Sequence, residues 1–303
     1  MIRTTLFIIL FLCLHHIAGA LPFSNSHMAH VDGTRLHYRV WEPAEGSPRG
    51  NILMVHGFSG STFSWQQAGD SLQQLGYRAV AVDVPPFGYS DRAPRQNQSV
   101  TARAALLIAF LEQQFPGTTW HLAGHSMGGG IVQAMALLRP SLFHSVCFVA
   151  ATLFSSIQPG SRQTPLWMHI PGLTTFVGNL AQSWFITRGR IEQLLASAYG
   201  EQPSPYQVEA YLEPLLLPGT ARAILHMQRF SMEIAVLDAA ALDVPALAIW
   251  GENDTWVPLE SGNKVLEKMP GVQLRVIEQA GHNPMETHPD QFMTLWMHFL
   301  DNL

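Results

Sequence analysis

Cysteine is nearly absent: Cys13 and Cys147 are the two in 303 residues. Two isolated thiols build no disulfide framework, and no Cys/His cluster has the spacing of a zinc site. Charge is scarce too. Charged residues make up 13% of the chain against 47% apolar ones, a dry composition for a soluble protein. The formal net charge is −5 and the basic residues are scattered, so the basic footprint of a nucleic-acid binder is missing. The sequence also lacks a phosphate loop, a dinucleotide glycine fingerprint, internal repeats and low-complexity tracts. No cofactor, metal or nucleic-acid partner is expected. What remains is a chain long enough for one large core carrying one elaborated domain.

The first twenty residues form a separate signal. Arg3 precedes an apolar stretch, Leu6 to Leu14, which leads to Ala18-Gly19-Ala20. That is the pattern of a secretory signal peptide cut after Ala20. Cutting there removes one Arg and no acid, so the net charge moves from −5 to −6. The expected location is secreted or periplasmic, with no stable membrane insertion after cleavage. The alternative is an uncleaved anchor, although the apolar stretch falls short of the roughly 20 residues a spanning helix needs. Cys147, inside the apolar run Val146 to Ala151, reads as an inert buried thiol.

The most informative stretch is Gly124-His125-Ser126-Met127-Gly128-Gly129. An apolar run leads in and a helical pattern leads out. This is strand, sharp turn, helix, with a serine at the apex. Glycine two residues to either side relieves crowding at a strained turn. Gly128, Gly129 and Gly130 fall in the first helical turn, where each costs about 0.5–1 kcal/mol relative to alanine. Close packing around a reactive site accounts for that cost better than an ordinary turn does.

A serine hydroxyl needs a base, and the base needs an orienting acid. The chain order expected for this arrangement is Ser, then Asp or Glu, then His. Asp254 stands just past the apolar strand Ala246 to Trp250, with Glu252 as its nearest rival. His282 stands past the short strand Leu274 to Ile277, in Gly-His-x-x-x-Glu. Both project from the sheet edge that carries Ser126.

The remaining map is an alternation. His30 to Trp41, turning at Asp32-Gly33, suggests an opening hairpin. Strands are expected at 51–55, 79–83, 119–123, 145–150, 246–250 and 274–277. Helices are expected at 63–75, 101–115, 129–138, 259–269 and 289–300. Near-continuous apolar strands between helices predict an α/β fold with a doubly wound, mostly parallel sheet. The domain division is 1–20 signal peptide, 21–151 first core part, 152–235 inserted helices, and 236–303 second core part.

The chain resembles an α/β-hydrolase-fold serine hydrolase of the esterase or lipase kind. His56-Gly57-Phe58, Asp83 with Pro86 to Asp91, Gly124 to Gly129, Gly251 to Pro258 and Gly281 to Pro289 match that family's landmarks in order. The resemblance implies an oxyanion hole formed by the backbone N–H groups of Phe58 and Met127. It implies that His56 braces the loop after the first parallel strand. It also implies that Asp83 organises the loop that follows it. His125 is expected at the pocket edge or in packing. The segment from 152 to about 235 lies where this family inserts a lid. Helical patterns at 190–199 and 205–216 fall there, with a roof that includes Trp167, Met168, Phe176, Phe185, Phe230 and Met232 as well as Trp184, Tyr199, Tyr206, Tyr211 and Met227. Such a roof favours an apolar substrate portion.

The expected function is an exported serine hydrolase acting on small-molecule carboxylic esters through an acyl-enzyme on Ser126. Cleavage of amides or of carbon–carbon bonds by the same triad is the alternative. A non-catalytic binding protein on this fold is the other class. Ser126, Asp254, His282 and Gly57 are all present, which argues against it.

Overall fold

The computed structural model describes residues 21–92, 96–157, 177, 184, 186–229, 233, 235–269 and 271–303. The expected signal segment 1–20 and the roof residues Trp167, Met168, Phe176, Phe185, Phe230 and Met232 lie outside them.

Alternation of side chains along the strands builds two cores, one on each face of a central sheet. The strands are β1 Ser26–Val31, β2 Thr34–Trp41, β3 Asn51–Val55, β4 Arg78–Val82, β5 Trp120–His125, β6 Phe143–Val149, β7 Ser156–Ile157, β8 Leu237–Asp238, β9 Ala246–Gly251 and β10 Gln273–Ile277. Eight of them form one sheet in the order β1-β2-β4-β3-β5-β6-β9-β10. β2 pairs antiparallel with β1 and with β4, and the other pairings are parallel. Leu53, Val55, Val80, Val82 and Leu122 face one core. Their neighbours Ile52, Met54, Ala79, Ala81 and Ala123 face the other. That is the period of two expected of a pleated strand.

Helices α1 Gln66–Gln74, α2 Val100–Gln114 and α3 Met127–Leu138 cover the first half. The helix expected at 63–75 is divided: Thr62–Trp65 is a 3₁₀ turn capped by Ser61, and α1 begins at Gln66. Inserted between β6 and β9 are α4 Arg188–Tyr199, α5 Pro205–Leu216 and α6 Thr220–Arg229. β7 and β8 pair antiparallel where the chain leaves and returns, Ser156 opposite Asp238 and Ile157 opposite Leu237. Further on come α7 Leu259–Leu266, the short α8 Pro284–Thr287 and α9 Pro289–Leu300. α7 stops three residues short of the expected Met269. Phe63 and Phe87 of the core pack with Leu195, Tyr199, Val208 and Tyr211 of the inserted helices.

β3 pairs with β4 on one side and with β5 on the other. The chain therefore reverses its direction of travel across the sheet there. Carboxyl ends at such a reversal leave a crevice, the usual place for a ligand in an open α/β sheet.

Candidate active site

Ser126 sits at that crevice, between β5 and α3, with φ 50° and ψ −120°. A non-glycine residue in this region stores on the order of 1–3 kcal/mol of strain. Three backbone hydrogen bonds hold it. Its N–H donates to Val149 O at 3.0 Å, and its carbonyl accepts from Gly129 N and Thr152 N, each at 2.9 Å. The glycines around it are needed for close approach. A Cβ on Gly124 would lie 2.5 Å from Gly128 O, and one on Gly130 would lie 2.5 Å from the Phe154 ring. Side chains at Gly128 and Gly129 would collide with Val55 O and with the Ala151 Cβ.

The loop after β3 lies against the elbow. A Cβ on Gly57 would be 2.9 Å from His125 Nδ1 and 3.0 Å from Ser126 Cβ. Phe58 follows, half-exposed, its ring edge-on to Phe87 at 5.0 Å. Met127 opens α3, so its N–H is among those a helix start leaves without an intrahelical partner. His56 Nδ1 donates to Gly57 O at 2.7 Å, and its Nε2 accepts from Val84 N at 2.8 Å. It spans two loops while fully buried, and burial lowers its pKa. That is the bracing role expected of it.

His282 and Asp254 meet from separate loops. His282 Nδ1 donates to Asp254 Oδ2 at 2.8 Å. Asp254 Oδ1 accepts from Trp256 N at 2.8 Å and Val257 N at 2.9 Å, so both carboxylate oxygens are fixed. The imidazole is thereby held with Nδ1 protonated, which leaves the Nε2 lone pair as the acceptor. Trp256 stacks on the imidazole, with centroids 5.5 Å apart and planes at 24°. The rival acids point elsewhere. Glu252 is exposed and accepts from Gln279 N at 3.0 Å. Asp83 is fully buried against His37 Nδ1 at 2.7 Å. Its other acceptances come from Tyr89 N at 2.7 Å, beyond the Pro-rich loop, and Thr62 N at 2.6 Å.

Ser126, His282, Phe58 and Gly57 line one cavity of about 60 Å³, together with Leu194, Leu195, Ala198 and Trp256. Among the described residues this lining holds no Lys, Arg, Asp or Glu. Nor do the described residues contain a group of three or more His, Cys, Asp or Glu able to hold a metal. No described helix is long and apolar enough to cross a membrane.

Three features escape a reading of the sequence. His125 Nε2 donates to the carbonyl of His282 at 2.9 Å, and burial, then the neighbouring His282, lowers its pKa well below the usual value. It is a brace for the His282 loop, not only a pocket edge. Trp256 is half-exposed and stacks on the imidazole; being close in sequence to Asp254 was the only hint. Glu286, which in the sequence merely marks the histidine motif, is buried and accepts from Tyr199, Tyr211 and Asn283. Burial raises its pKa, opposed by those hydrogen bonds. Of the described roof aromatics, Tyr199 and Tyr211 are buried, while Trp184 and Tyr206 are exposed.

The chain resembles known hydrolases across most of its length. It is 28% identical over 267 residues to an uncharacterized hydrolase, YugF, of Bacillus subtilis, covering 86% of this chain and 92% of that one. It is 28% identical over 262 residues to a pimeloyl-[acyl-carrier protein] methyl ester esterase of Aeromonas hydrophila, covering 82% and 95%. The crystal structure of a bacterial membrane phospholipase A superposes with a TM-score of 0.70 at 23% identity, covering 91% and 86%, a likeness of fold. The family model for the alpha/beta hydrolase fold matches residues 50–289, and the chain belongs to that family of hydrolases.

Proposed function

We propose that the chain is an exported serine hydrolase that cleaves carboxylic esters with an apolar portion through an acyl-enzyme on Ser126. The observation that carries this reading is the His282 Nδ1–Asp254 Oδ2 pair at 2.8 Å, facing the cavity that the strained Ser126 also lines.

The chemistry follows from the geometry. Ser126 Oγ attacks the ester carbonyl carbon as its proton passes to His282 Nε2. Asp254 holds Nδ1–H and stabilises the imidazolium. The carbonyl oxygen takes up the negative charge beside the amides of Phe58 and Met127. The C–O bond to the alcohol breaks, and the alcohol leaves with the proton from Nε2. Water then repeats the cycle on the acyl-Ser126, with His282 as base, and releases the acid. Leu194, Leu195, Ala198, Phe58 and Trp256 give the cavity an apolar wall, which suits an apolar acyl or alcohol part. Its uncharged lining favours an ester over a substrate that carries its own charge. Amide or carbon–carbon bond hydrolysis by the same triad remains the second reading.

The decisive variant is Ser126→Ala. Ester turnover is expected to fall on the order of 10⁴–10⁶-fold, with the fold intact. A fluorophosphonate should label wild type at Ser126 and leave the variant unmodified. Normal turnover by the variant sinks the assignment. Export rests on the apolar stretch and on Ala18-Gly19-Ala20. Amino-terminal sequencing of protein recovered outside the cytoplasm should begin at Leu21; a chain that keeps Met1 and sediments with membranes supports the anchor instead.

A further inference from the structure

Glu286 lies four residues beyond His282, in α8, and is 8% exposed. Its Oε1 accepts from Tyr211 Oη at 2.6 Å and from Asn283 Nδ2 at 2.7 Å. Its Oε2 accepts from Tyr199 Oη at 2.8 Å. Tyr211 Oη also meets Ser64 Oγ at 2.9 Å. These partners are all uncharged. A buried carboxylate met only by neutral donors is a poor device for stability, since an apolar replacement of similar volume is often neutral or better. Something else has to account for it.

The two tyrosines come from different inserted helices. Tyr199 ends α4, and Tyr211 lies within α5. The last turn of α4 packs directly against the base. Ala198 O accepts from His282 N at 2.6 Å. Gly281 has no room for a side chain, because its Cβ would collide with Ala198 O. Ser197 Oγ accepts from Trp256 Nε1 at 3.2 Å, and Trp256 is the ring stacked on His282. Leu194, Leu195 and Ala198 form a wall of the catalytic cavity. One helical turn thus touches the main chain of the base, the ring beside it and the substrate space. Tyr199 is the residue that ties that turn down, and it is tied to Glu286.

We propose that Glu286 is a positioning residue, whose carboxylate clamps two inserted helices, at the end of α4 and the middle of α5, onto the His282 loop and so holds the base in line with Ser126. The clamp rests on the triad reading above. Only a carboxylate fits the role. It offers acceptor oxygens on both sides, one toward α4 and one toward α5. Glutamine has the same shape but one acceptor oxygen, so its NH₂ faces either Tyr199 or the Tyr211–Asn283 side, where the tyrosine must turn from donor to acceptor and give up its present bond. The grip on that helix is then weakened. A shift of about 1 Å at a reacting group costs about 10²-fold in rate.

The test compares Glu286→Gln, Tyr199→Phe, Tyr211→Phe and the double variant E286Q/Y211F with wild type. Rates on a p-nitrophenyl ester are divided by the number of sites titrated with a fluorophosphonate, which removes any loss of folded protein. In E286Q we expect kcat per titrated site to fall about 10- to 100-fold, with KM near the wild-type value. Each tyrosine variant should lose less. Tyr211→Phe should cost less in the E286Q background than alone, because its acceptor is already compromised. Unchanged kcat per site in E286Q overturns the clamp, and so do losses that simply add. If E286Q does not fold, Tyr199→Phe carries the test by itself, and an unchanged kcat there overturns the clamp. An unlabelled Ser126 in wild type overturns the triad reading and the clamp with it; a labelled Ser126 with unaffected variants overturns the clamp alone.

Discussion

The molecule brings a serine, a histidine and an aspartate together at two places. In one, His282 Nδ1 meets Asp254 Oδ2 at 2.8 Å beside Ser126. In the other, His37 Nδ1 meets Asp83 Oδ2 at 2.7 Å, and His37 Nε2 meets Ser26 Oγ at 2.7 Å. By atom and distance the second histidine–aspartate pair is at least as close as the first. What separates them is the surroundings. Ser26 lies in an ordinary strand, accepts from Phe23 N at 3.1 Å and is 5% exposed, while His37 and Asp83 are fully buried. No ester carbonyl can reach Ser26. Ser126 has left-handed backbone at a helix start, with the loop of Gly57 and Phe58 against it and a cavity in front. A histidine–aspartate pair near a serine therefore occurs twice, and access to a cavity is what marks Ser126 as the proposed nucleophile.

The comparison breaks most visibly at the acids. Asp254→Asn should leave a folded protein whose kcat is about 10⁴-fold lower, measured per folded molecule with an ester substrate. Glu252→Gln should leave kcat near wild type, since that carboxylate meets only Gln279 N at the surface. A greater loss from Glu252→Gln, in well-folded protein, moves the orienting acid to that position.

Asp83→Asn should do the reverse. Its turnover per titrated site stays close to wild type, while stability drops by about 3–5 kcal/mol as a buried pair is broken. The pH dependence has a definite sign. Burial works against ionisation of Asp83, but the hydrogen bond and charge of His37, then His56 and the Tyr89 N–H, outweigh it and hold its pKa below the usual 3.8. A carboxyl depressed in the folded state contributes stability above its unfolded value and loses it as pH falls through its folded value. Denaturant midpoints of wild type should therefore fall below pH 3.8, and part of that fall should vanish in Asp83→Asn. Identical acid profiles contradict the assignment.

The smallest effect belongs to Ser26→Ala. Removing that hydroxyl should cost about 1 kcal/mol and leave turnover unaltered. Fluorophosphonate label at Ser26, detected by peptide mass, erases the distinction between the two arrays.

Much of the fold was legible because its signals are local. Apolar runs between helical patterns located the strands to within a few residues, and Asp32-Gly33, with φ 47° and 74°, turns the opening hairpin where expected. The elbow was legible because strained backbone leaves glycines behind. Their reasons differ, however: Gly128 makes room for Val55 O of β3, while Gly129 and Gly130 make room for Ala151 and Phe154 of the loop after β6. The choice among Asp254, Glu252 and Asp83 was harder, because each follows an apolar strand. Chain order sets aside Asp83 but not Glu252, and only side-chain direction separates an acid aimed at His282 from one aimed at Gln279 or His37.

The sequence by itself determined the class of fold and the turn that carries Ser126, because each depends on residues adjacent along the chain. Tertiary structure alone decided which histidines brace loops and which one meets Asp254 at the cavity that Ser126 lines, that Trp256 stacks on His282, and that Glu286 gathers Tyr199 and Tyr211 from 87 and 75 residues away. Hydrogen bonds and ring contacts depend on direction and distance to within a fraction of an ångström, and sequence spacing carries neither once the chain has turned back on itself.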